Sequence, residues 1–144
     1  AYRHPATVKV AEVFSDPPIN FVHADVANGK ASLRIGIDFP LAGHLQGLSD
    51  GEYTFGVRSN HLFLEQRSED DVRIDSKVEL AEINGSETFI HFFYRNRSLV
   101  AQEEGVRSYK VGSPVSIYVH PDHFFVYEKE GNLVRAAKRL TSAN

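Results

Sequence analysis

The sequence predicts an all-β protein: a small barrel or sandwich of short antiparallel strands, with one short N-terminal helix. Three observations carry this. Apolar residues alternate with polar ones along Val72-Arg73-Ile74-Asp75-Ser76-Lys77-Val78-Glu79-Leu80, broken only at Ser76, which is the period of a half-buried strand. Asn-Gly pairs at Asn28-Gly29 and Asn84-Gly85 separate strand-like runs and supply the positive-φ positions of tight hairpin turns. Turn-forming residues then recur about every ten residues from Phe21 onward, a spacing that suits sandwiches and barrels.

In chain order, Pro5 suits a first helical turn, where its missing N–H costs nothing. Ala6, Val10, Val13 and Phe14 then fall on one helical face. Asp16-Pro17-Pro18 ends that helix, because the residue before proline is pushed out of the α region. Phe21 to Ala27 and Ala31 to Phe39 read as strands around the first Asn-Gly turn. Pro40 to Gly51 is a loop, Tyr53 to Val57 a short strand, and Gln66 to Asp71 a solvated turn. The central hairpin follows, with Glu87 to Tyr94 dense in strand-forming aromatics. With Asn84 and Gly85 as its loop, Leu80 faces Phe89, Val78 faces His91, and Glu82 meets Glu87. Leu99 to Gln102, Val115 to Val119, Phe124 to Tyr127 and Leu133-Val134 are further short strands.

At 144 residues the chain is expected to be one domain, 1–144: a connecting helix and linker over 1–20, a β-domain over 21–134 and a fraying tail over 135–144. There is no methionine, position 1 included, so a piece of a longer protein is expected. No apolar run approaches the roughly 20 residues of a membrane-spanning helix. The net charge of −3 offers no attraction for nucleic acid. Without cysteine there is no disulfide framework, thiolate metal site or cysteine nucleophile.

Residues that carry chemistry elsewhere are sparse here. His120-Pro121-Asp122-His123 lacks the spacings of zinc sites, so solvated histidines on a turn, and no metal, are expected. No Gly-x-Ser-x-Gly elbow and no phosphate-cradling Gly-x₄-Gly-Lys-[Ser/Thr] loop occurs. The paired carboxylates Asp70-Asp71 and Glu103-Glu104 sit in hydrophilic surroundings and read as solvated turns. Phe124 and Phe125 are adjacent, so in a strand their rings point to opposite faces. One fills the core; the other, expected to be Phe125, lies outward, where with Phe124 and His123 it marks a partner surface.

Several segments resemble the region that follows the nucleotide-binding domain in ATP-binding subunits of sugar ABC importers. Tyr2 to Phe14 is similar to the segment entering that region, and Ser15-Asp16-Pro17-Pro18-Ile19-Asn20-Phe21 to its Gly-Ser-Pro-x-Met-Asn-Phe junction. Gly56-Val57-Arg58-Ser59-Asn60-His61-Leu62 resembles Gly-Ile-Arg-Pro-Glu-His-Leu. Val78-Glu79 to Glu82, with Gly85-Ser86-Glu87 and His91, resembles a Val-Glu…Glu-x-x-Gly-x-Glu stretch. Gly112-Ser113-Pro114-Val115 is similar to Gly-Asp-x-Val, and His123-Phe124-Phe125 to His-Leu-Phe-Asp. The order is the family's own and covers nearly the whole chain. Ser59-Asn60 departs from Pro-Glu, and Val126 stands where the terminal Asp is expected.

The resemblance implies an OB-like, transport-associated regulatory module that does not itself hydrolyse ATP. ATP and Mg²⁺ would be held by the parent's nucleotide-binding domain. The implied partners are that domain, a second ATPase subunit pairing as a homodimer, the transporter's membrane subunits and a regulatory protein. The implied location is cytoplasmic, peripheral on the inner face of the membrane. Related OB modules bind oxyanions, so a small-ligand module is the alternative, with Arg58, Ser59, Asn60 and Ser86 as its candidate residues. For Arg58 the favoured reading is a structural one, as the ion-pair partner of a buried-edge carboxylate.

Overall fold

The computed structural model describes residues 6–7, 18–94 and 97–137. Its chain neighbourhoods divide into two compact units, Ala1–Arg58 with Pro121–Asn144, and Ser59–His120. The residues expected to make one β-domain, 21–134, therefore fall in both. No α-helix occurs among the described residues. The helix expected from Pro5 to Phe14 lies mostly outside them. Its described part, Ala6-Thr7, is not helical: Thr7 bridges Asn132, and the Leu133 N–H donates to the Ala6 carbonyl at 2.9 Å.

The first unit is a six-stranded antiparallel sheet in the order β10-β9-β4-β1-β2-β3. Its strands are β1 (Ile19–Ala27), β2 (Lys30–Leu33), β3 (Ile37–Pro40), β4 (Gly51–Arg58), β9 (Phe125–Glu128) and β10 (Leu133–Arg135). The β1–β2 turn is as read from sequence: Asn28 (φ 54°) and Gly29 (φ 74°) are both left-handed, the type I′ signature, and Ala27 pairs Lys30. The single strand expected from Ala31 to Phe39 is instead a second tight hairpin. Gly36 at φ 86° lets the chain reverse, and Leu33 pairs Ile37.

Both faces of this sheet carry buried aromatic rings. On one, Phe21 meets Tyr127 edge-on with centroids 6.0 Å apart, Phe125 joins them, and Ile19, Leu133 and Ala137 pack against the group. Gly56 sits beneath: a Cβ there would lie 3.1 Å from Ile19 and 3.2 Å from the Phe21 ring. On the other, Phe124 stacks on Phe39 at 5.7 Å and meets Phe55 edge-on at 5.2 Å.

The second unit is a four-stranded antiparallel sheet, β7-β6-β5-β8. It comprises β5 (Val72–Asn84), β6 (Glu87–Tyr94), β7 (Arg97–Glu104) and β8 (Pro114–Val119). The central hairpin exists, but its register is offset from the expected one. Asn84 pairs Glu87, so Gly85-Ser86 is the loop, and positive φ falls on Gly85 alone, as in a type II′ turn. Glu82 thereby meets Phe89 and not Glu87, and its carboxylate lies 2.8 Å from His91 Nε2. A bulge at Glu79 then breaks the alternation, pairing Leu80 with His91 but Val78 with Phe92. Val72, Ile74 and Val78 stay buried while Leu80 turns outward, 47% exposed.

Candidate functional site

The first candidate region is the end of the chain in the six-stranded unit. Pro121–His123 is a single 3₁₀ turn leading into β9. The expected solvated histidines are not found there: His123 is buried, and His120 is partly so. Nor is Phe125 the outward ring. It is 3% exposed, as is Phe124, because each ring enters one of the two aromatic layers of the sheet. Alternation places adjacent rings on opposite faces, as expected, but here both faces are packed. The Arg58 guanidinium lies over the Phe125 ring at 5.2 Å, and Arg58 is only 2% exposed. Burial pushes the nearby Tyr127 hydroxyl up to about 12, an effect that the Arg58 charge partly offsets. Arg135, expected to begin a fraying tail, is the last residue of β10. Its Nε donates to the His44 carbonyl at 2.9 Å, and His44 Nε2 donates to the Phe124 carbonyl at 2.8 Å.

The second region is a cleft of about 410 Å³ in the four-stranded unit, lined by Asn60, Leu62, Phe63, Leu64 and Arg67 with Glu87 and Gln102–Glu104. The β6–β7 register builds one side of it by setting Glu87 opposite Glu104 and Phe89 opposite Gln102. A 3₁₀ turn, Ser59–His61, brings the other side in. Its buried Ser59 hydroxyl donates to Gln102 Oε1 at 3.0 Å, and Gln102 Nε2 donates to Glu87 Oε2 at 2.9 Å. Phe63 continues this side through an antiparallel bridge to Tyr118, and Arg67 stacks over its ring at 4.2 Å. Tyr109 donates its hydroxyl to Glu103 at 2.6 Å; burial and that carboxylate push the phenol well above its ordinary pKa, so it stays protonated.

Of the residues proposed for an oxyanion site, Asn60 alone lines this cleft; Ser59 is fully buried behind it, bonded to Gln102. Arg58 closes the six-stranded unit and is buried against Phe125. Ser86 is exposed in the hairpin loop, where its carbonyl accepts from Gly105 N–H at 2.7 Å. Glu87 and Glu104 against the single guanidinium of Arg67 make the cleft a poor host for an anion. Sequence reasoning missed Phe63, Arg67, Glu87, Gln102, Glu103 and Glu104 as a group. The turn-forming residues Asn96-Arg97-Ser98 in the sequence are the signal that would have paired Glu87 with Glu104. Among the described residues no cluster of three or more His, Asp or Glu could hold a metal ion.

No family model matches the chain. It is 26% identical over 140 residues to the multiple sugar-binding transport ATP-binding protein MsmK of Streptococcus mutans, covering 90% of the chain and 37% of that protein. To the sn-glycerol-3-phosphate import ATP-binding protein UgpC 3 of Rhizobium etli it is 31% identical over 90 residues, 62% of the chain and 23% of that protein. To the corresponding UgpC of Shigella boydii it is 23% identical over 131 residues, 90% of the chain and 36% of that protein. The chain is homologous to the C-terminal part of ABC-importer ATP-binding proteins. It spans between 23% and 37% of the length of these relatives.

Among solved structures, the cytoplasmic molybdate-binding protein ModG matches with a TM-score of 0.58 at 12% identity, over 74% of this chain and 94% of that one. That likeness is one of fold, and with the strand content it makes this importer-related chain an all-β, OB-like module. No helix among the described residues is long and apolar enough to cross a membrane.

Proposed function

We propose that this chain is the non-catalytic regulatory module at the C-terminal end of an ATP-binding subunit that drives import of sugars or related polyols and phosphates. The observation that carries the reading is the match to MsmK, which runs along 90% of this chain yet occupies only 37% of that relative. A separate part of the parent is left to bind and hydrolyse ATP, and to hold the Mg²⁺ that hydrolysis needs. The chain itself contains no glycine-rich phosphate loop. Its role is to pair with the copy in a second subunit, to sit against the parent's nucleotide-binding domain and the membrane subunits, and to receive regulators. That places it on the cytoplasmic face of the membrane, held there by its partners.

An oxyanion-binding role, the alternative suggested by OB modules, has less support. The cleft that Asn60 lines is flanked by Glu87 and Glu104, Ser59 is buried, and Arg58 is engaged with Phe125. The reading is tested by the coding sequence upstream of residue 1 and by the purified chain. A Walker A loop and an ABC signature upstream, together with no ATP turnover by the chain alone, are the expected results. Hydrolysis that survives repurification, or an upstream sequence without those motifs, would overturn it.

A further inference from the structure

The last strand of the six-stranded unit, β10, is short and irregularly registered. It has three residues, and its pairing with β9 shifts between Leu133↔Tyr127 and Arg135↔Val126. It also stands at the edge of its sheet, where a strand is held from one side unless something covers the other. The residues ahead of β1 supply that cover. Thr7 forms an antiparallel bridge with Asn132, and the Leu133 N–H donates to the Ala6 carbonyl at 2.9 Å. The Leu133 side chain meanwhile packs against Phe21, Phe125 and Tyr127.

β10 in turn carries Arg135, whose guanidinium reaches three carbonyls: His44 from Nε at 2.9 Å, Val134 from Nη1 at 2.9 Å and Gln46 from Nη2 at 3.4 Å. Two of these belong to the 3₁₀ turn Gly43–Leu45 and its C-cap, Gln46. That turn is thinly held from within. Ala42 at its N-cap makes no side-chain cap, and its backbone bonds are long, at 3.2 Å from Gln46 N–H to Gly43 and 3.4 Å from Leu48 N–H to Leu45. Arg135 is therefore a main support of the turn, beside the bond from His44 Nε2 to the Phe124 carbonyl at 2.8 Å. We propose that Ala6-Thr7 is a strap: docked, it holds β10 and, through Arg135, the 43–48 turn; withdrawn, it lets both open together. A continuous chain of bonds with two arrangements is what coupling between separated segments requires, and weakly held edge elements are the parts of a fold that open first. On the transporter reading the ATP-binding part of the parent lies ahead of residue 1, and its movement is conveyed to the exposed turn residues Gly43, Gln46 and Gly47. That use rests on the reading; the coupling itself does not.

Hydrogen exchange of the 144-residue chain, followed by NMR, tests the coupling without any partner. In the intact chain the Leu133 amide, the Arg135 Nε–H and the Leu45, Gln46 and Leu48 amides should exchange through one shared opening with a common urea dependence. Deleting residues 1–7 should speed exchange at all of them about three- to ten-fold, the range to which the net worth of one hydrogen bond converts. Coupling is reciprocal, so Arg135→Ala, which leaves Ala6 and Leu133 in place, should speed the Leu133 amide as well as the turn. Amides of Ala24 in β1 and Ile90 in β6 are the controls and should not change in either variant. Separate openings in the intact chain, a measurement that needs no variant to fold, would overturn the proposal. So would a deletion whose effect stops at Leu133, an unchanged Leu133 amide in Arg135→Ala, or equal acceleration at Ala24 and Ile90.

Discussion

Replacing Phe125 by alanine separates a core ring from an interface ring. The side chain is 3% exposed, packed with Phe21 and Tyr127 and covered by the Arg58 guanidinium at 5.2 Å. A buried phenylalanine withdraws roughly 150–250 Å² from water, and at about 25 cal/mol per Å² losing most of that costs about 3 kcal/mol. The space left beneath Arg58 adds to this, because the sheet above and the charge below cannot collapse freely; core Phe→Ala changes cost about 3–5 kcal/mol in all. Arg58 also loses its ring, worth about 0.5–2 kcal/mol for a desolvated cation, which places the expectation in the upper half of that range. A domain of this size has only about 5–15 kcal/mol to lose. With no tryptophan in the chain, urea unfolding followed by far-ultraviolet circular dichroism is the suitable assay. An outward interface ring would change the isolated chain's stability by less than about 0.5 kcal/mol. A measured loss below about 1 kcal/mol would therefore refute the packing described for β9.

Three further changes probe other parts of the structure. Gly56→Ala puts a Cβ 3.1 Å from Ile19 and 3.2 Å from Phe21, whose ring is itself held by Tyr127, so a loss of about 1–3 kcal/mol is expected; an unchanged or higher melting temperature would count against this close approach. Thr88→Val removes a buried hydroxyl that donates to the Gly105 carbonyl at 2.8 Å and accepts from the Arg107 N–H at 3.0 Å. It should cost about 1–3 kcal/mol and speed hydrogen exchange at the Arg107 amide; unaltered exchange there would show that the hydroxyl does not hold this loop. Because burial raises the folded-state pKa of Tyr127 from 10.0 to about 12, its contribution is complete below about pH 10 and is lost as pH rises through about 12. Tyr127→Phe should therefore have a flatter decline of melting temperature across that window than the parent chain, and equal slopes would contradict the assignment.

Much of the β architecture was legible in the residues because its signals are local. Asn28-Gly29 specified a type I′ turn without help from the rest of the chain, since few residues other than Asn and Gly accept left-handed φ at both positions. The alternation from Val72 to Val78 named its own buried face. Register was less legible. At the central hairpin a shift of the loop by one residue, from Asn84-Gly85 to Gly85-Ser86, altered every cross-strand pair, and the bulge at Glu79 then reversed which residues face out. No periodicity announces a bulge; it is settled by how the strand meets its neighbours on both sides. The fate of Phe125 was likewise beyond the sequence. Alternation could say that Phe124 and Phe125 point opposite ways, but only the tertiary structure decided that both faces of their strand are packed, one by Phe39 and Phe55 and the other by Phe21 and Arg58. The cleft is the extreme case. Its residues come from three separated stretches, each of which reads alone as a polar turn or a strand end. They become a site because antiparallel pairing sets Glu87 against Glu104, and because Ser59 ties the turn that carries Asn60 to Gln102. Local preference is written residue by residue, whereas long-range pairing is a property of the whole chain, fixed by which faces can be buried together.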